Sequence, residues 1–171
     1  MKNYVLLIMS FIFLMISSQS VSQNNDSSIL KSEKPNFKIE FPSNYNLEES
    51  NIDKGLKSDL YRCEFNNDIY MLKYTEHKNP AVSGDNEVYM GASLESFITG
   101  IKATLINKSK IKYGKTTGLD AYLSLDNKSM NVFYRVLILK RTQYQIIVIT
   151  KSKDKTVEIN SFFNSFISPA K

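Results

Sequence analysis

His77 is the only histidine in the chain, and it stands beside Glu76. A carboxylate next to an imidazole can orient a general base. No nucleophile lies at a recognisable spacing from the pair, so a plain surface histidine is the favoured reading, with Glu76 and His77 kept as candidate binding residues. Cys63 is the only cysteine. It cannot form an internal disulfide, and one His plus one Cys cannot make a strong zinc site, so no metal is expected. Cys63 alternates with Tyr61 and Phe65 in strand-like sequence, the setting of a buried, inert thiol. Ser83-Gly84 lacks the flanking glycines of a nucleophile elbow. Gly84 and Gly91 are isolated, so no phosphate-cradling loop is present and no cofactor is expected.

Lys108, Lys110 and Lys112 form the remaining candidate. At strand spacing all three point the same way. They read either as a basic stripe for an anionic surface or an acidic protein face, or as an edge strand blunted by lysines against edge-to-edge pairing. The second reading is favoured. The formal charge of the 171 residues is +5, with both signs mixed along the chain. That excess is too weak and too dispersed for a nucleic-acid-binding protein.

The elements that must position these residues centre on Met130–Lys151. This stretch reads as two long strands joined by a turn at Lys140-Arg141-Thr142. Val132, Tyr134, Val136 and Ile138 share one face of the first; Phe133, Arg135, Leu137 and Leu139 share the other. Tyr144, Ile146 and Val148 oppose Gln145, Ile147 and Ile149 in the second. Apolar character on both faces marks central strands covered from both sides.

Lys2, the apolar run Tyr4–Ile16 and the small polar exit that follows have the three parts of a secretory signal peptide. The run is shorter than the ~20 residues of a comfortable membrane span. The expected organisation is a signal peptide over 1–22, cleaved after Ser22, a polar flexible spacer over 23–35 and a single domain over 36–168. No transmembrane span remains after cleavage, and the address is periplasmic or extracellular.

Within the domain, Phe37, Ile39 and Phe41 alternate in a first strand. Ser43–Lys57 reads as polar loop. Leu60–Phe65 and Ile69–Thr75 form a hairpin across Asn66-Asn67-Asp68, whose side chains tolerate positive φ. Glu76–Ala92 reads as a long loop. Ser93 is expected to cap a helix in which Leu94, Phe97, Ile98, Ile101 and Leu105 repeat at helical spacing up to Asn107. Lys108–Gly114 and Asp120–Leu125 are further strands. Ile159, Phe162, Phe163 and Phe166 give a second amphipathic helix, stopped by Ser168-Pro169. The expected fold is α+β: an antiparallel sheet of six to seven strands between two main helices.

Several local patterns carry a family likeness. They are Phe37-Lys38-Ile39-Glu40-Phe41-Pro42, Gly118-Leu119-Asp120-Ala121, the Tyr134-Arg135 strand, Tyr144-Gln145-Ile146-Ile147 and the closing Phe162-Phe163-Asn164-Ser165-Phe166. Over Asn36–Ile167 the chain resembles the PsbP-like superfamily. The resemblance implies an α/β/α sandwich and a binding or accessory role rather than catalysis, and it transfers no catalytic residue. With the export signal it implies a bacterial envelope protein, monomeric, docking on another protein or an anionic surface. A hydrolase or small-ligand binder using the Glu76–Ala92 loop is the alternative. A secretion chaperone, which would need an exposed apolar concavity, is the third.

Overall fold

A computed structural model describes residues 28–53, 56–77, 86–125 and 129–169. The described elements are β1 (Ile29–Glu33), β2 (Asn36–Glu40), β3 (Asn46–Asp53), β4 (Leu56–Phe65), β5 (Asp68–His77), α1 (Asn86–Ile101), β6 (Ala103–Tyr113), β7 (Thr116–Leu125), β8 (Met130–Leu139), β9 (Thr142–Thr150) and α2 (Val157–Ser165). Seven strands form one sheet in the order β3-β4-β5-β9-β8-β7-β6, and β1 pairs with β2 in a separate ribbon. Every pairing is antiparallel.

The central position of β9 follows from its residues. Tyr144, Ile146 and Val148 belong to one core, and Ile147 and Ile149 to the other. A strand apolar on both faces is stable only where both are covered. On the first face lie Tyr70, Leu72, Tyr74, Phe133 and Leu137, capped by Ile159, Phe162 and Phe163 of α2, by Phe166, and by Leu30, Phe37 and Ile39 of the ribbon. On the second face Met90, Leu94 and Phe97 of α1 cover Leu123, Val132, Tyr134 and Val136. Each helix thus buries its own apolar stripe against an opposite side of one sheet, the α/β/α layering expected.

The hairpin turns are local chemistry. Asn66 and Asn67 both hold positive φ between β4 and β5 (51° and 64°), the conformation that a two-residue I′ turn requires and asparagine tolerates. Asp68, expected in this turn, instead pairs with Phe65 as the first residue of β5. Between β8 and β9 the loop is Lys140-Arg141 alone, since Thr142 already pairs with Leu139.

Four expectations are corrected. Ile29–Glu33 lies in the stretch read as spacer but forms β1, because burying Leu30 is all the apolar contact a two-strand ribbon needs from it. Asn46–Asp53 is edge strand β3 rather than loop. Its outer side pairs with nothing among the described strands and its side chains are mostly exposed, so it shows no alternation. Helix α1 begins at Asn86, seven residues before the proposed cap Ser93. It ends at Ile101, because Lys102 adopts positive φ (54°) and turns the chain into β6. Leu105 is therefore a strand residue, 38% exposed, and its helical spacing from Ile101 is coincidental.

Gly118 in β7 marks a close approach. A Cβ there would stand 2.4 Å from Leu137 Cδ2, 3.1 Å from Ile111 Cγ1 and 3.2 Å from the Val136 carbonyl oxygen. Leu137 is fully buried and has nowhere to retreat. Gly118→Ala is expected to destabilise the fold by about 1–3 kcal/mol through overpacking, read as a lower urea midpoint at unchanged slope. An unchanged midpoint would place Leu137 elsewhere.

Candidate functional site

Helix α1 packs most heavily on β7, β8 and β6 and shares a core with Met71 of β5 and Ile147 and Ile149 of β9, while its flank stands open beside Lys73, Thr75, Gln143 and Gln145 of those two strands. A cleft of 370 Å³ opens there, lined by Lys73, Thr75, Tyr89, Ala92, Ser93, Ser96, Phe97, Gly100, Gln143 and Gln145. The helical wall is one stripe of α1, at the three- and four-residue spacing that shares a face. The sheet wall is a cross-strand block: Lys73 is registered with Gln145, and Thr75 with Gln143.

A hydrogen-bond network closes the cleft floor. Gln143 Nε2 donates to Ser93 Oγ at 3.0 Å. Gln145 Nε2 donates to Ser93 Oγ at 2.8 Å and to Tyr134 Oη at 3.0 Å. Ser93 Oγ and Tyr134 Oη share a bond of 2.9 Å. Tyr134 is almost wholly buried and its ring stacks on Phe97 at 4.8 Å. Burial pushes its phenol up to about 12, partly offset by the bonds to Ser93 and Gln145. Burial also lowers the Lys73 ammonium from its ordinary value, against the raising influence of Glu49. An ammonium in this setting gains from any anion that reaches it.

The phenols supply a pH prediction. Tyr61 and Tyr70 are, like Tyr134, pushed up to about 12, in each case mainly by burial. The unfolded chain releases these protons near pH ~10. The folded state therefore holds more protons over the interval between, and stability falls as pH rises through it. Full stability is expected below pH ~10 and a progressive loss towards pH ~12, measured as denaturation midpoints across alkaline pH. A flat profile would contradict the burial of these hydroxyls.

The residues singled out from sequence fall elsewhere. Glu76 and His77 are successive residues at the end of β5, so their side chains leave opposite faces of the sheet. Glu76 is registered with Lys57 and Thr142 on the α2 side; His77 is registered with Leu56, and its amide donates to the Arg141 carbonyl at 3.0 Å. They do not converge, and neither lines the cleft. Of the loop expected over Glu76–Ala92, residues 86–92 are helix and 78–85, with Ser83 and Gly84, lie outside the described residues. Lys108, Lys110 and Lys112 do share one face of edge strand β6, and all three are exposed. Lys110 Nζ reaches Glu87 Oε1 on α1 at 2.7 Å, a pair open to solvent. Cys63 is buried in the α2-side core, where burial pushes its thiol up. No cluster of three or more metal-ligating side chains occurs among the described residues.

Sequence reasoning missed the cleft because Ser93 looked like a helix cap. The available signal was the glutamines: Gln143 and Gln145 interrupt an otherwise apolar face of the most buried strand. Polar side chains at such positions require partners.

Among solved structures, the chain is similar to the solution structure of cyanobacterial PsbP (CyanoP) from Synechocystis sp. PCC 6803. The TM-score is 0.57 at 13% identity, over 90% of this chain and 99% of that one. The fold is PsbP-like. No family model and no curated protein matches the chain. At this identity the likeness concerns architecture alone: a PsbP-like sheet between helices. No helix among the described residues is long and apolar enough to cross a membrane.

Proposed function

We propose that the chain is an exported, non-catalytic binding protein of the bacterial envelope, with its ligand site in the cleft between α1 and β5–β9. The observation that carries this reading is the state of Ser93. Its hydroxyl is engaged by two amides and one phenol, all neutral. A nucleophilic serine needs an adjacent base to take its proton. A neutral, mutually bonded floor instead fixes side chains for recognition. The leader pattern supports export, and the PsbP-like architecture supports an accessory role.

The test compares tagged mature protein with an Ala92→Trp variant, both recovered from cells of the source organism. Ala92 is an exposed helical residue in the cleft wall, so tryptophan fills the cleft without entering the core. A bound molecule or partner recovered with the parent and lost with the variant is expected. Turnover of an ester, amide or glycoside panel that disappears in Ser93→Ala would overturn the non-catalytic reading. Mass spectrometry of the same material should find Gln23 first.

A second reading rests on β6. Lys108 and Lys112 are exposed on the outermost strand, beside the Lys110–Glu87 pair. Salt-sensitive binding to anionic vesicles, abolished by Lys108→Glu with Lys112→Glu, would make this edge a docking face. Aggregation on neutral replacement, without vesicle binding, would make it edge protection. Among the described residues the exposed large apolar side chains are Ile52 and Leu56 on β3 and β4, Val88 and Tyr89 on α1, Leu105 and Ile106 on β6, and Val157 and Ile167 near the end of the chain.

A further inference from the structure

The two edges of the seven-stranded sheet are opposite in charge. Among the described strands β3 pairs with β4 alone, and β6 with β7 alone. β3 carries Glu48, Glu49 and Asp53 and no basic residue. β6 carries Lys108, Lys110 and Lys112 and no acidic one. An edge open on one side is a template for a further strand. Like edges repel here, because β6 on β6 sets lysine against lysine and β3 on β3 sets carboxylate against carboxylate. The pairing that both edges permit is β6 of one copy with β3 of the next.

Part of this charge is engaged within the molecule. Lys110 bonds Glu87, Arg62 reaches Glu48 at 3.5 Å, and Glu49 acts on Lys73. Arg62 also serves Glu64, and the Lys110 and Arg62 pairs stand open to solvent, where ion pairs hold weakly. Lys108 and Lys112 are exposed and take part in none of the ion pairs among the described residues.

Strand direction and face both allow the junction. Seven strands with every neighbour antiparallel leave β3 and β6 running the same way. A copy shifted sideways without turning over therefore lays its β3 parallel to β6, with α1 on the same side in both. Lys108, Lys110 and Lys112 lie on the α1 side, where Lys110 meets Glu87. Glu49 is registered with Leu60 of the α1-side core and so shares that side. On the α2 side Ile111 packs against the core. Ile52, 78% exposed, is registered with Lys57, whose ammonium lies over the Tyr74 ring of that core. Both segments lie beyond their bulges, at Leu47/Glu49 and Leu105/Asn107, so alternation is regular in each. One register then serves both faces. Glu49 level with Lys108 puts Ile52 level with Ile111, and Asp53 level with Lys112. The two lysines outside any ion pair are the two that come level with acidic positions.

We infer that copies of this chain associate edge to edge, β6 of one against β3 of the next, extending one sheet through successive molecules. A head-to-tail junction leaves a live edge at each end, so it closes into a ring or grows into a filament. The lysines bar β6 from itself and admit β3. A single edge contact is small, which makes the association reversible and sensitive to salt.

The test is sedimentation velocity of the folded mature protein over a concentration series. Mass is expected to rise with concentration at about 0.1 M salt and to return towards the monomer at about 1 M, as the screening length falls from about 10 Å to about 3 Å. Lys108→Glu with Lys112→Glu makes both edges acidic, and Glu49→Lys with Asp53→Lys makes both basic. Each variant alone is expected to stay monomeric. Mixed in equal amounts they should associate about tenfold or more tighter than either alone, because every edge then meets its opposite. That rescue needs both variants folded, and neither unfolding nor general loss of charge can produce it. Ile52→Lys, which leaves the core untouched, should weaken association of the otherwise unaltered chain. A parent that stays monomeric at low salt overturns the inference and leaves the lysines as edge protection. A closed dimer lost in the lysine variant and kept in the Glu49→Lys, Asp53→Lys variant would place β6 against itself and overturn it too. Monomeric variants that stay monomeric when mixed would show that these edges do not meet. The cleft is read by partner recovery with Ala92→Trp, so the two readings fail separately.

Discussion

Phe162→Ala is expected to cost about 3–5 kcal/mol, the range for removing a buried phenylalanine ring. Phe162 is 1% exposed on the inner face of α2. Its ring centroid lies 5.0 Å from Phe41, and 5.3 Å edge-on from Tyr70. These neighbours come from three layers: the helix, the segment after the ribbon and the sheet. A cavity there cannot collapse by moving one side chain. Aromatic pairs add roughly 0.5–1.5 kcal/mol beyond area burial, so the upper part of the range applies. The loss is of the same order as the whole stability of a small domain, about 5–15 kcal/mol. Thermal and urea unfolding should both show it, against Val157→Ala at a position 78% exposed, which is expected to stay within about 0.5 kcal/mol of the parent. A cost for Phe162→Ala below about 1 kcal/mol would mean that α2 is not docked as described.

The same helix shows which parts of the fold could be read from residues alone. Ile159, Phe162 and Phe163 carry the helical period and are buried on α2. Phe166, expected in the helix, is instead its C-cap with extended backbone, because the chain leaves the helix after Ser165 to bridge Lys38 through Ile167; it is buried as well. β8 and β9 carry the two-residue period on both faces, and both faces are covered. Strong periodicity was legible wherever burial is one-sided or complete. It fails at β1 and β3, where backbone pairing rather than side-chain burial makes the strand. It misleads at Leu105, where a spacing from α1 continues by accident into β6. The cleft was illegible for a different reason. Tyr134, Ser93, Gln143 and Gln145 come from β8, α1 and β9 and meet only through the sheet order, in which β9 lies between β5 and β8. Local sequence could show that two glutamines interrupt a buried face, but not that a serine fifty residues earlier would receive them. The Glu76–His77 pair failed because adjacency in sequence is separation on a strand.

Arg135→Met should be the second most damaging change, about 2–3 kcal/mol, somewhat below the cost of breaking a fully buried ion pair. Arg135 and Asp120 are registered neighbours on β8 and β7. The guanidinium grips the carboxylate with both arms, Nε to Oδ1 at 2.7 Å and Nη2 to Oδ2 at 3.0 Å. Its third nitrogen, Nη1, donates to the Phe163 carbonyl at 3.3 Å, and the guanidinium carbon lies 5.0 Å from the Phe163 ring centre. One side chain therefore ties two strands to the last turns of α2, satisfying a carbonyl that the helix itself leaves open. Both side chains are about 15% exposed, so salt should screen the pair only weakly. Lys155 Nζ, 3.4 Å from Asp120 Oδ2, keeps the carboxylate partly compensated when Arg135 is removed, which sets the lower end of the range. The specific expectation is a double-mutant cycle of Arg135→Met with Asp120→Asn giving a coupling of about 1–3 kcal/mol, accompanied by faster amide exchange at the end of α2. Additivity within about 0.5 kcal/mol would show the contact to be incidental. Coupling without faster exchange in α2 would confine Arg135 to the sheet and leave the aromatic stripe alone to hold the helix, so the two substitutions together separate what docks α2 from what orients it.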